Sequence, residues 1–194
     1  MIDLEGIAHR ITVALYADAG LDEVELAKIE YGLSLSLGIA ITLAATLGLA
    51  ALLGLFAPAL ALALAALSLR LFTGGTHCSS YDRCLILSVS LFVLGAALAR
   101  WAAAVLPLGG ALGVYLGVTA ATALYLLTKR PRLALMVVAV TFAVLGFSLA
   151  GAESSIKPAA LAVSFGFALQ TALTTGPGRR LVDMADAGLK KVVK

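Results

Sequence analysis

No charged residue stands between Tyr31 and Leu69, and this stretch limits the fold more than any other feature of the chain. It is about twice the ~20 residues that a helix needs to cross the hydrocarbon core of a bilayer. A membrane barrel would instead alternate apolar and polar residues. Composition extends the point to all 194 residues, which are 61% hydrophobic and only 13% charged. With a mean hydropathy of +1.04, a soluble domain of this size could not cover itself with polar surface. The chain is therefore read as an all-α, polytopic membrane protein.

Breaks in the apolar pattern divide it into about six transmembrane helices. The first span runs from about Tyr31 to Leu49. Gly54 and Pro58 interrupt the next run, and a second span covers about Leu52 to Leu71. A third runs from about Cys84 to Leu106, with Arg100 and Trp101 near its far end. After the turn Pro107-Leu108-Gly109-Gly110, a fourth covers about Ala111 to Thr128. A fifth covers about Leu133 to Ala150. The loop from Gly151 to Pro158 holds Glu153 and Lys157, and a sixth span covers about Ala159 to Thr175.

Both ends differ from this core. Within residues 1–30, Leu4, Ile7, Ile11, Ala14 and Leu15 form one helical stripe, opposite Glu5, His9 and Arg10. That pattern predicts an amphipathic helix on the membrane surface, with His9 solvated. Gly20 is a stop signal, and Asp22 with Glu25 resembles a capping box opening the next helix. The acidic residues here, Asp18 and Glu30 among them, do not match a cleaved signal peptide. The tail, residues 176–194, carries Arg179, Arg180, Lys190, Lys191 and Lys194 beside an apolar stripe of Leu181, Ala185, Leu189 and Val192. It too is expected to lie on the surface. Residues 31–175 form the transmembrane domain between these ends.

Six spans put both termini on one side. That side would hold Arg70, Arg83, Lys129, Arg130, Arg132 and the basic tail, against Arg100 and Lys157 on the other. The positive-inside rule then assigns the termini and the 70–84 loop to the cytoplasm. In that reducing compartment Cys78 and Cys84 are expected as free thiols. Gly109, Gly113, Gly117 and Ala121 recur every fourth residue, a spacing that lets helices approach closely. Internal packing is the plainer reading, and a homodimer face is the sharper one.

The 70–84 loop concentrates the chemistry: Arg70, Gly74, Gly75, His77, Cys78, Asp82, Arg83 and Cys84. Reactive groups between spans are costly to keep and read as functional. A thiol nucleophile needs a base, a depressed pKa and access. His77 and Cys84 are seven residues apart, roughly 10 Å on a continuous helix, so they meet only if the chain bends. Gly74-Gly75 permits that bend. Ser79 or Ser80 can N-cap the third span. The start of that helix, with Arg70 and Arg83 nearby, then favours a thiolate at Cys84. Asp82 either orients His77 or pairs with an arginine. Cys78 is the alternative nucleophile, although side chains adjacent in sequence usually diverge. A histidine that merely caps a helix is the plainer reading of His77. A zinc site from His77, Cys78 and Cys84 is a further alternative, with Asp82 as the nearest fourth ligand.

Arg70, Gly75, His77 and Cys84, placed after the second span of a chain this long, resemble the accessory gene regulator B family of membrane cysteine endopeptidases. The resemblance implies an enzyme that removes the C-terminal tail of a small amphipathic precursor peptide. It would hold the product as an acyl-thioester on Cys84, with His77 as general base, and Arg70 and Gly75 would shape the site. Cyclisation to a thiolactone or lactone would yield a quorum-sensing signal. The implied location is a bacterial plasma membrane. The partners implied are the precursor and the bilayer, with no nucleic acid and no cofactor. Here Cys78 follows the histidine, where the family more often has a small residue. A peptide exporter without covalent chemistry, or a metal-binding regulatory membrane protein, is the competing function.

Overall fold

A computed structural model describes residues 3–16, 20–149 and 153–192, and among these every regular element is helical. Asp18, Ala150, Gly151 and Lys194, which figure in the sequence reading, lie outside the described residues.

Helix α1 (Leu4–Tyr16) precedes α2 (Glu23–Leu52), which opens on the expected capping box. Asp22 Oδ1 accepts from the Glu25 backbone N–H at 2.7 Å, and Glu25 Oε2 accepts from the Asp22 N–H at 3.2 Å. Two orphan donors at the helix start are thereby satisfied. Gly54, at φ 67°, turns the chain into α3 (Phe56–Thr73). Pro58 does not break the run. It sits in the first turn of α3, where a missing N–H is tolerated. Helices α4 (Tyr81–Val105), α5 (Leu108–Lys129), α6 (Pro131–Leu149) and α7 (Glu153–Thr174) complete the bundle. Helix α8 (Gly176–Leu189) leaves α7 at 86°.

Among the described residues four helices, α2 to α5, are long and apolar enough to cross a membrane, and the bent pair α7–α8 raises the number to five. Helix α6 is apolar but shorter over its described side chains, Pro131–Gly146. The sixfold count is thus approximate, while the multi-pass helical architecture stands.

Helices α3 and α7 form the centre. A β-carbon on Gly166 of α7 would lie 2.5 Å from the Leu62 carbonyl oxygen of α3, so the two backbones touch there. Leu62, Tyr115 and Leu161 pack around one end of this seam, and Leu69, Val137 and Phe167 around the other. By contrast, Gly109, Gly113, Gly117 and Ala121 lie on the exposed face of α5, with open space at the three glycine positions. The internal-packing reading of that stripe is therefore corrected: a small residue that does bring two helix backbones together is Gly166.

The two ends of the bundle carry their cations differently. Arg100 donates to the Gly54 carbonyl at 2.9 Å, and Lys157 to those of Leu106 at 3.0 Å and Ala103 at 3.3 Å. Each thus satisfies carbonyls left over at a helix C-terminus. At the opposite end lie the 74–80 loop, α1 and α8. There Arg130 donates to the Phe72 carbonyl at 2.7 Å and closes the end of α3.

The terminal helices differ in detail from the pattern expected. Helix α1 turns Leu4, Ala8 and Thr12 inward, which leaves Ile7 and Leu15 of the apolar stripe exposed. His9 is exposed yet not simply solvated, because its Nδ1 lies 3.0 Å from Glu30 Oε2 on α2. Helix α8 buries Gly178 and Val182 and exposes Leu181 and Met184.

Candidate active site

Helix α3 ends because Gly74 adopts φ 69°, ψ −159°, a region essentially closed to residues with a β-carbon. Its N–H still reaches the Arg70 carbonyl at 2.9 Å. The next residue serves a different need. A β-carbon on Gly75 would lie 2.7 Å from the Arg70 guanidinium, so the missing side chain lets Arg70 fold over the loop. The chain then runs as an irregular segment to Ser80, the N-cap of α4.

Cys84 lies in the first turn of α4, its N–H donating to the Ser80 carbonyl at 3.1 Å. The Ser80 side chain does not cap the helix. Its Oγ accepts from Arg83 Nε at 2.9 Å instead. Tyr81 donates from its hydroxyl to the Gly38 carbonyl at 3.1 Å and fixes this helix start against α2.

His77, Cys78 and Cys84 all line one cavity of about 700 Å³, together with Arg70. The loop bend thus lets His77 and Cys84 line the same cavity. Along α2 the lining runs from Ala27 to Leu43, about 24 Å at 1.5 Å per residue. The cavity is therefore a groove. Asp3, Glu5 and Glu30 contribute carboxylates to its lining, and Leu35, Ile39, Leu43, Leu67 and Phe92 make apolar wall.

Burial, and then the Arg70 charge, lower the pKa of His77 below the ordinary histidine value. Both influences favour the neutral imidazole, the form able to accept a proton. The Cys78 thiol is pushed up to about 11 by burial, by the adjacent Cys84 and by Asp186. Near neutrality it stays protonated and is a poor nucleophile. Both cysteines are free thiols.

Gly74, Gly75, Asp82 and Arg83 do not line the groove. Arg83 is nearly buried, and its Nε sits 3.3 Å from Asp186 Oδ1, so it is paired rather than a free positive charge. Its carboxylate partner is thus Asp186 on α8. Asp82 occupies the first turn of α4. Among the described residues no three His, Cys, Asp or Glu side chains group as a metal-ligand set, which leaves the zinc reading without geometric support.

Three contacts to the loop went unforeseen. Gln170 Nε2 donates to Thr73 Oγ1 at 3.0 Å and to the Gly74 carbonyl at 2.9 Å. Thr76 Oγ1 donates to the Leu173 carbonyl at 3.3 Å. Asp186 Oδ2 accepts from the Ser79 hydroxyl at 2.5 Å and from the Ser79 N–H at 3.2 Å. The sequence offered one signal: Gln170 is a rare amide within an apolar run.

Fold and groove together define a multi-pass helical membrane protein with a histidine and two thiols at one end of its bundle. The accessory gene regulator B family model matches residues 8–159, well over half of the chain, and the chain belongs to that family. Searches of curated proteins and of solved structures return no match. Family membership supports a role in accessory-gene-regulator quorum sensing, where the family is associated with peptide processing.

Proposed function

We propose that this chain is a cysteine endopeptidase that cuts a small amphipathic precursor peptide and promotes its cyclisation. One observation carries the reading: His77 and Cys84 both line a groove long enough for an extended or helical peptide segment.

In the first step His77 takes the Cys84 proton and the sulfur attacks the scissile carbonyl. The tetrahedral intermediate collapses, the C–N bond breaks, and His77 returns the proton to the departing amine. The core of the precursor stays as an acyl-thioester on Cys84. An internal thiol or hydroxyl of the same peptide then attacks that thioester. A thiolactone or lactone forms, and Cys84 leaves with its proton restored. Within the groove this second nucleophile has a high effective concentration, so ring closure outruns hydrolysis.

The apolar wall suits an amphipathic peptide entering from the bilayer surface. Backbone N–H groups at the start of α4 are the oxyanion donors in this scheme. The reaction side is the cytoplasm, because the 70–84 loop shares its end of the bundle with Arg130, Arg132 and α8.

The test is cleavage of a synthetic precursor by purified protein in liposomes. Cys84→Ala and His77→Ala should each abolish cleavage, and wild type should yield a hydroxylamine-sensitive acyl-enzyme by mass spectrometry. Persistent cleavage by Cys84→Ala removes the assigned nucleophile.

A further inference from the structure

Irregular backbone beside a membrane keeps one geometry only when its polar groups are held. The 73–80 segment is held chiefly by the last two helices. Gln170 is only 2% exposed, and its amide satisfies the Gly74 carbonyl at the open end of α3. In return, Thr76 satisfies the Leu173 carbonyl at the open end of α7. Asp186 then grips Ser79 twice and faces Arg83. The Ser79 hydrogen bonds hold its carboxyl below the usual carboxylate range, so the grip is charge-assisted at neutral pH.

These contacts bracket His77 on both sides. Gln170 fixes the chain three residues before it, and Asp186 fixes it two residues after. Neither side chain lines the groove. Both also lie beyond the matched family region, which ends at residue 159.

We infer that Gln170 and Asp186 are positioning residues: the α7–α8 corner clamps the 73–80 loop so that His77 stays in the groove that Cys84 also lines. This role rests on the peptidase reading, but the clamp itself is a property of the loop. Because neither residue meets substrate, loosening either one lowers kcat and leaves KM unchanged. A misplacement of about 1 Å at a reacting group costs on the order of a hundredfold in rate.

The experiment pairs two readouts on wild type, Asp186→Asn, Asp186→Glu and Gln170→Met. The first is maleimide labelling of Cys78 in folded protein carrying Cys84→Ala. The second is cleavage kinetics with Cys84 intact. The clamp predicts faster Cys78 labelling in Gln170→Met, which leaves the Asp186 charge that acts on Cys78 in place, and a tenfold to hundredfold fall in kcat at constant KM in Gln170→Met and Asp186→Asn. Asp186→Glu, which keeps the charge, recovers part of the lost kcat. Gln170→Met fills the same slot, so it covers the case in which Asp186→Asn fails to fold. Unchanged labelling in folded Gln170→Met overturns the clamp. Faster labelling with undiminished kcat overturns the positioning role. If wild type cleaves no precursor while labelling still rises, the clamp stands and the peptidase reading falls.

Discussion

Arg70 lays its guanidinium over Gly75 so closely that a β-carbon there would meet Cζ at 2.7 Å. The clash is with the far end of a flexible side chain, so Gly75→Ala moves the arginine rather than the backbone. Stability should change by less than about 1 kcal/mol. Activity should respond more, because the displaced charge is one that acts on His77. A thermal melt beside a cleavage assay separates the two effects.

The same arginine gives a pH prediction. His77 is held below its ordinary pKa by burial first and by Arg70 second. It works as a base only when neutral, so activity fails as pH falls through its pKa. Arg70→Gln removes one of the two depressing influences, and the pKa rises toward the ordinary value. The acid limb of kcat/KM should therefore move to higher pH. An acid limb that stays in place would break the link between Arg70 and the base.

The two cysteines should separate cleanly. With its thiol at about 11, Cys78 is ionised in only about one molecule in ten thousand at pH 7. Cys78→Ser is expected to keep cleavage within a few-fold of wild type. Cys84→Ser should lose it, or leave a slow oxygen-ester intermediate visible by mass spectrometry.

Glycine substitutions should sort by geometry. Gly166→Ala drives a methyl group into the Leu62 carbonyl and should cost about 1–3 kcal/mol. Gly113→Ala and Gly117→Ala meet nothing and should stay within about 0.5 kcal/mol. Denaturant unfolding in mixed micelles checks the ranking. Cross-linking of the larger Gly113→Leu and Gly117→Leu variants tests whether this outward stripe joins two copies of the chain.

Gly74→Ala forces a β-carbon into a backbone region reserved for glycine, at a cost of about 1–3 kcal/mol. Relief of that strain would turn the loop and carry His77 with it. Loss of cleavage with a modest fall in melting temperature is the expected pair of results.

Much of this was legible because bilayers demand simple patterns. Helix runs, the Asp22–Glu25 box and the bend at Gly74 each follow from local chemistry. The small-residue stripe on α5 was ambiguous, since a period of four reads alike on inner and outer faces. Gln170 and Asp186 were not legible as loop partners, because they meet the loop across 96 to 107 residues of sequence. Asp186 also sits in a tail whose basic residues dominate its pattern. The same distance hid the true partner of Arg83.

The corner at Gly178 admits no side chain, for a β-carbon there would run into the Ala172 carbonyl. Helix α8 therefore behaves as a lever with a stiff pivot, and its working arm bears on Ser79. An affinity handle or fluorescent fusion attached downstream of α8 loads that lever. Turnover recorded with such a handle reports the load on the lever together with the chemistry, so kinetic comparisons belong on protein from which the handle has been cut.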